Sequence, residues 1–129
     1  MSRSKSYNLT VTEKPGYVHA VASGPNTVDN MTAYLEELLG ECIAQGHRRV
    51  LIEERLVGQR VRMTDVFELA SVMSDRVHGL FDAIAFVDVN AIDNLNLKFG
   101  EDVVVNRGLR AKMFRTVEEA ENWLRRATP

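Results

Sequence analysis

Short β-like runs alternate with amphipathic helical runs along nearly the whole chain, and this alternation leaves few folds open to it. Residues 7–12 place Leu9 and Val11 between polar neighbours, the period of a half-buried strand. A Lys14-Pro15-Gly16 turn leads into a second strand at 17–23. The short link predicts an antiparallel hairpin. Gly24 and Pro25 stop that strand, and Thr27 is placed to cap a helix with Asp29 in its first turn. Val28, Met31, Leu35, Leu38, Leu39 and Cys42 then follow helical spacing, and Gly46 ends the helix. Residues 49–53 (RVLIE) form a continuous apolar run, the pattern of a buried parallel strand. A loop is expected at 55–63, with Thr64 capping a second helix that turns Val66, Phe67, Ala70, Met73 and Val77 inward. Residues 83–87 (AIAFV) are a fourth strand. Leu95, Phe99 and Val103 recur at helical spacing over 93–106, although the run Val103-Val104-Val105 also permits a strand at 102–106. Residues 110–115 are a fifth strand. Thr116 and Glu119 then make a capping box before a helix striped by Val117, Ala120, Trp123, Leu124 and Ala127.

The order β-β-α-β-α-β-α-β-α predicts an α/β fold with a five-stranded, mostly parallel mixed sheet and about four helices, because βα repeats demand crossovers of one hand. At 129 residues the chain suits one domain. Its limits are expected at 7–127, behind a loose polar arm over 1–6. With 45% hydrophobic and 26% charged residues it can build a core of ordinary size. Sixteen basic against eighteen acidic residues give no bulk attraction to nucleic acid or an anionic membrane. A polar start without an apolar stretch speaks against a signal peptide, and no run approaches a membrane span. The lone Cys42 forms no intrachain disulfide, so a reducing cytoplasm is the expected location.

Loops that follow parallel strands gather on one edge of the sheet, where α/β proteins usually place their sites. Glu54 after the third strand and Asp88 after the fourth are expected to face each other there. With Asn90 and Arg107 they form a possible polar rim site, suited to a hard cation or acid–base work, or to a structural ion-pair network with Arg55 or Arg107. Residues 47–63 carry five arginines against two glutamates in an acidic chain. Arg55, Arg60, Arg62 and Phe67 therefore mark a possible partner or anion surface, beside the apolar Leu56, Val57, Val61 and Met63. His19, His47 and His78 are scattered over three elements, and no metal, cofactor or catalytic motif is expected. Cys42 lies on an apolar stripe and reads as core.

The tail from Arg110 to Leu124 (RAKMFRTVEEAENWL), together with Ala85-Phe86-Val87-Asp88 and Asn106-Arg107-Gly108, resembles SpoIIAA-like bacterial proteins. Their fold is shared with the STAS domains of anti-sigma-factor antagonists and, distantly, with CRAL-TRIO lipid-binding domains. The resemblance implies a non-enzymatic regulatory or protein-interaction module with a protein partner, a homodimer among the possibilities. The alternative it implies is a protein that binds a small apolar or amphipathic ligand in a pocket. In sigma-regulating STAS proteins a serine opening the helix after the third strand is phosphorylated. Thr64 holds that position here, so the resemblance implies either a phospho-switch or a plain helix cap. The long arginine-bearing loop departs from the short turn of those proteins.

Overall fold

The N-terminal hairpin sets the first edge of the sheet. β1 (Asn8–Lys14) pairs antiparallel with β2 (Tyr17–Pro25), with Leu9 opposite Ala22 and Val11 opposite Ala20. A computed structural model describes residues 6–58, 61–88 and 94–126. Residues 1–5 of the expected arm and Ala127 at the expected domain end lie outside these. Ser6 is tied to the domain through a hydrogen bond of 2.5 Å from its hydroxyl to Asn30 Oδ1.

α1 (Val28–Gln45) begins as its sequence dictates, with Thr27 in the extended region and its Oγ1 accepting from the Asn30 amide at 3.1 Å. It ends at Gly46, whose φ of 77° is left-handed. There the amides of Gly46 and His47 close on the carbonyls of Ile43 and Cys42. β3 (Arg49–Val57), α2 (Met63–Val77), β4 (Ala83–Asp88), α3 (Asn94–Asn106), β5 (Ala111–Phe114) and α4 (Val117–Arg126) follow.

The strands lie in chain order β1-β2-β3-β4-β5, and every pairing after the first is parallel. When successive crossovers step in one direction with one hand, their helices must fall on one face of the sheet. Accordingly α1, α2 and α3 share a core with Val18, Ala20, Val50, Ile52 and Ile84. α4 covers the other face, where Ala120 and Leu124 pack on Leu51, Ala83, Ala85 and Val87. The expected capping box is in place, with the Glu119 amide donating to Thr116 Oγ1 at 3.2 Å.

Three local readings change. The strand expected over 17–23 runs through Gly24 to Pro25, and the strand expected over 49–53 continues to Val57, because Ser23, Gly24 and Pro25 keep pairing with Arg55, Leu56 and Val57. Thr64 is not the cap of α2. Arg62 holds that position with extended backbone (φ −64°, ψ 142°), and its carbonyl accepts from the Val66 amide, so Thr64 lies inside the first turn. No side chain caps this helix. Residues 102–106 are helical, as the spacing over 93–106 predicts, a geometry that sends Val104 into the core and leaves Val105 exposed.

Candidate functional site

β3 carries three consecutive charged residues, Glu53, Glu54 and Arg55, and strand alternation sends them to opposite faces. Glu54 follows Ile52 onto the face covered by α1–α3, while Glu53 joins Leu51 on the face of α4. The expected juxtaposition of Glu54 and Asp88 is present, since they are register partners at the ends of neighbouring parallel strands. Glu54 is only 5% exposed. Its Oε2 accepts a short hydrogen bond from the hydroxyl of Tyr34, a fully buried residue of α1. Burial drives the Tyr34 phenol well above its usual range, and the charge and hydrogen bond of Glu54, then the charge of Asp88, push it the same way. Tyr34 thus stays protonated and acts as a donor to the carboxylate.

The arginines expected beside this pair go elsewhere. Arg55 turns to Glu53, donating from Nε at 2.6 Å, and His19 Nε2 lies 3.0 Å from the other oxygen of Glu53. Burial alone would raise the Glu53 carboxyl, but Arg55 and His19 together hold it below its ordinary value of 4.5. Arg107 pairs with Asp75 of α2 at 3.5 Å. Arg55 and Arg107 therefore pair with Glu53 and Asp75 rather than with Glu54 or Asp88. Asn90 and Arg60 lie outside the described residues.

Below Tyr34 and Glu54, a cavity of about 110 Å³ separates α1, α2 and α3 from the sheet. Its walls are overwhelmingly apolar, with Met31, Met73, Met113, Ala70 and Phe86 among them. A second carboxylate, Glu101 of α3, also reaches the wall. It accepts from the Met113 amide at 2.8 Å and from Lys98 at 3.0 Å, and so occupies a backbone donor on the edge strand β5.

The other expected surface is exposed. Val57, Met63 and Phe67 are 57, 46 and 48% accessible, next to Arg62 and Thr64, which are also exposed. Phe67 leans on Phe99 of α3, with ring centroids 6.3 Å apart, so one side of its ring is anchored and the other faces solvent. The inward reading of Phe67 fails for this reason, whereas Met73 and Val77 are buried as expected. Cys42 is buried among the residues of the α1 core. Burial, aided by Glu41, raises its thiol to about 11, which suppresses the thiolate that reactivity would need. Among the described residues, no group of three or more His, Cys, Asp or Glu side chains could hold a metal ion. No described helix is long and apolar enough to cross a membrane.

Two features escaped the sequence reading. Tyr34 completes the helical stripe of Met31, Leu35 and Leu38, so its spacing already placed it facing the sheet. The buried Glu53 with His19 and Arg55 had a weaker signal, namely that Glu53 continues the alternation of β3 beyond its apolar run.

No protein-family model and no curated protein matches this chain. Solved structures do. An anti-sigma factor antagonist from Mycobacterium paratuberculosis superposes with a TM-score of 0.64 at 13% identity, over 97% of this chain and 99% of that one. An uncharacterized protein with a SpoIIAA-like fold from Shewanella loihica PV-4 gives 0.55 at 17% identity, over 96% and 98%. At such identities the likeness establishes the fold: this chain adopts the SpoIIAA-like architecture.

Proposed function

We propose that this chain is a non-enzymatic regulatory module that works by binding another protein through the β3–α2 connection and the first turns of α2. One observation carries the reading: Met63 and Phe67, one turn apart on α2, and Val57 at the end of β3 are each exposed, with Arg62 at the start of α2. Aromatic and methionine side chains inside a charged rim make a common protein-binding composition. The rim carries both signs, Arg62 against Asp65 and Glu68, and suits a partner with an apolar centre and a border of mixed charge. The similarity in fold to an anti-sigma factor antagonist supports a regulatory role of this kind. A homodimer would cover the same patch by an isologous contact. Cytoplasmic residence accords with the reduced, buried Cys42.

Thr64 is the natural control point of this surface. Its side chain is exposed in the first turn of α2, two residues after Arg62. A phosphate there meets helix-terminal amides and Arg62, and adds negative charge to the border of the exposed apolar side chains.

The test is co-purification from the native host with isotope-labelled quantification, comparing wild type with Phe67→Asp and Thr64→Glu. A partner enriched by wild type should fall at least tenfold with Phe67→Asp, while thermal unfolding stays unchanged because Phe67 is half-exposed. Thr64→Glu should shift the same partner. A partner set identical across all three proteins would defeat the proposal. A tagged second copy as the enriched protein would make the module a self-associating one.

A further inference from the structure

α2 rests on its neighbouring helices more than on the sheet. α1, α3 and α4 each run close against a strand, whereas α2 is seated mainly on α3 and α1. Gly100 of α3 lies so near α2 that a Cβ there would meet Val66 Cγ1 at 3.4 Å, and Phe67 leans on Phe99 beside it. With α2 tied to α3 in this way, the space between α2 and the sheet stays open as the cavity of about 110 Å³. Val66, Leu69 and Ala70 of α2 line it and are only partly buried, so some of their apolar surface is left uncovered.

We propose that this cavity takes one uncharged, apolar molecule about the size of a single ring, a monocyclic arene or a compact branched hydrocarbon. An unfilled apolar void forfeits dispersion contacts along its lining, and a guest restores them. The volume is on the scale of apolar cavities that accept benzene or xenon, so a long lipid chain does not fit. Three of the chain's five methionines, Met31, Met73 and Met113, lie on the wall, and thioether side chains adapt to guests of irregular shape. The two carboxylates on the wall are engaged by the protein. Glu54 accepts from the Tyr34 hydroxyl, and Glu101 accepts from the Met113 amide and from Lys98. Binding therefore rests on apolar contact and fit, and a charged guest would have to shed its water against a hydrocarbon wall. The site uses residues other than the exposed Val57, Met63 and Phe67, so it stands whether or not those bind a protein.

Methyl NMR of protein labelled at methionine tests it, with toluene and benzoate as titrants. Individual Met→Leu substitutions assign Met31, Met73 and Met113. Trp123, the one tryptophan, packs on the opposite face of the sheet, and its indole N–H is the internal control. The three wall methyls should shift saturably with toluene, the Trp123 signal should stay, and benzoate should bind at least tenfold more weakly. Ala70→Leu, which fills the space, should weaken toluene at least tenfold. Should that variant fold poorly, xenon NMR of the wild-type protein replaces it: xenon should show a saturable shift that toluene displaces. The proposal is overturned if the wall methyls do not saturate, if Trp123 shifts alongside them, if benzoate binds as well as toluene, if a folded Ala70→Leu protein keeps wild-type affinity, or if toluene fails to displace xenon.

Discussion

Tyr34→Phe removes one oxygen from the interior and isolates the contribution of the buried Tyr34–Glu54 contact. The ring keeps its volume, so no cavity forms and only the hydrogen bond is lost. Tyr34 is wholly buried and Glu54 is 5% exposed, so water does not replace the missing donor readily. A hydrogen bond to a charged group contributes about 1.5–3 kcal/mol, which sets the expected loss near 2 kcal/mol. For a chain of this length that is a fall of about 6–10 °C in Tm. The chain has one tryptophan, Trp123, packed 5.5 Å from the ring of Phe114, so its fluorescence follows urea unfolding without an added probe. A double-mutant cycle with Glu54→Leu separates the pair from the rest. Relief of the repulsion between Glu54 and Asp88 enters both arms of the cycle and cancels, leaving a coupling of about 2 kcal/mol. The reasoning is refuted if Tyr34→Phe lies within about 0.5 kcal/mol of wild type, the range of neutral surface changes, or if the two substitutions are additive.

Other consequences follow from the same geometry. Glu53 has a folded carboxyl pKa below its ordinary value, so its stabilisation is present above the unfolded pKa near 4.5 and is lost as pH falls through the folded one. Glu53→Gln should therefore cost about 1 kcal/mol at pH 7, a figure reduced for the half-exposed Arg55, and the gap to wild type should narrow in urea titrations below pH 4. Cys42 is raised from 9.0 to about 11, so the stability associated with its neutral thiol is intact below pH 9 and declines as pH climbs toward 11. At pH 8 its alkylation by iodoacetamide should follow global unfolding, and rapid labelling of the native protein would contradict its burial. Gly24 has a φ of +132°, and a Cβ there would meet the Ser6 carbonyl oxygen at 2.8 Å. Gly24→Ala should lower stability by about 1–3 kcal/mol in denaturant melts, whereas an unchanged midpoint would mean the strand relaxes around it.

The architecture was legible because the hydrophobic period switches cleanly between 2 and 3.6, and because Thr27, Gly46 and the Thr116–Glu119 box punctuate the helices with their own chemistry. The residues around the site were harder to read, for physical reasons. Charge in Glu53-Glu54-Arg55 signals solvent, yet here ladder pairing with β2 carries the strand onward, and Tyr34, His19 and Arg55 make burial of the carboxylates tolerable. The start of α2 misled because threonine is a favoured cap, while the actual boundary at Arg62 rests on backbone geometry without a side-chain signal. The separation of Glu53 from Glu54 follows from strand alternation alone once the strand is known to reach Val57. Arg107 could not be assigned from sequence, since its partner Asp75 lies on a different helix 32 positions away.

Site-specific photo-crosslinking in living cells of the native host tests the central claim most directly. A benzophenone amino acid replaces Phe67 in one protein and Thr10, an exposed residue of β1, in another. The protein-binding account expects a discrete covalent adduct with one other protein from position 67, suppressed when Arg62→Glu is added, and none from position 10. Equal adducts from both positions, or none from position 67 at native expression, would contradict it.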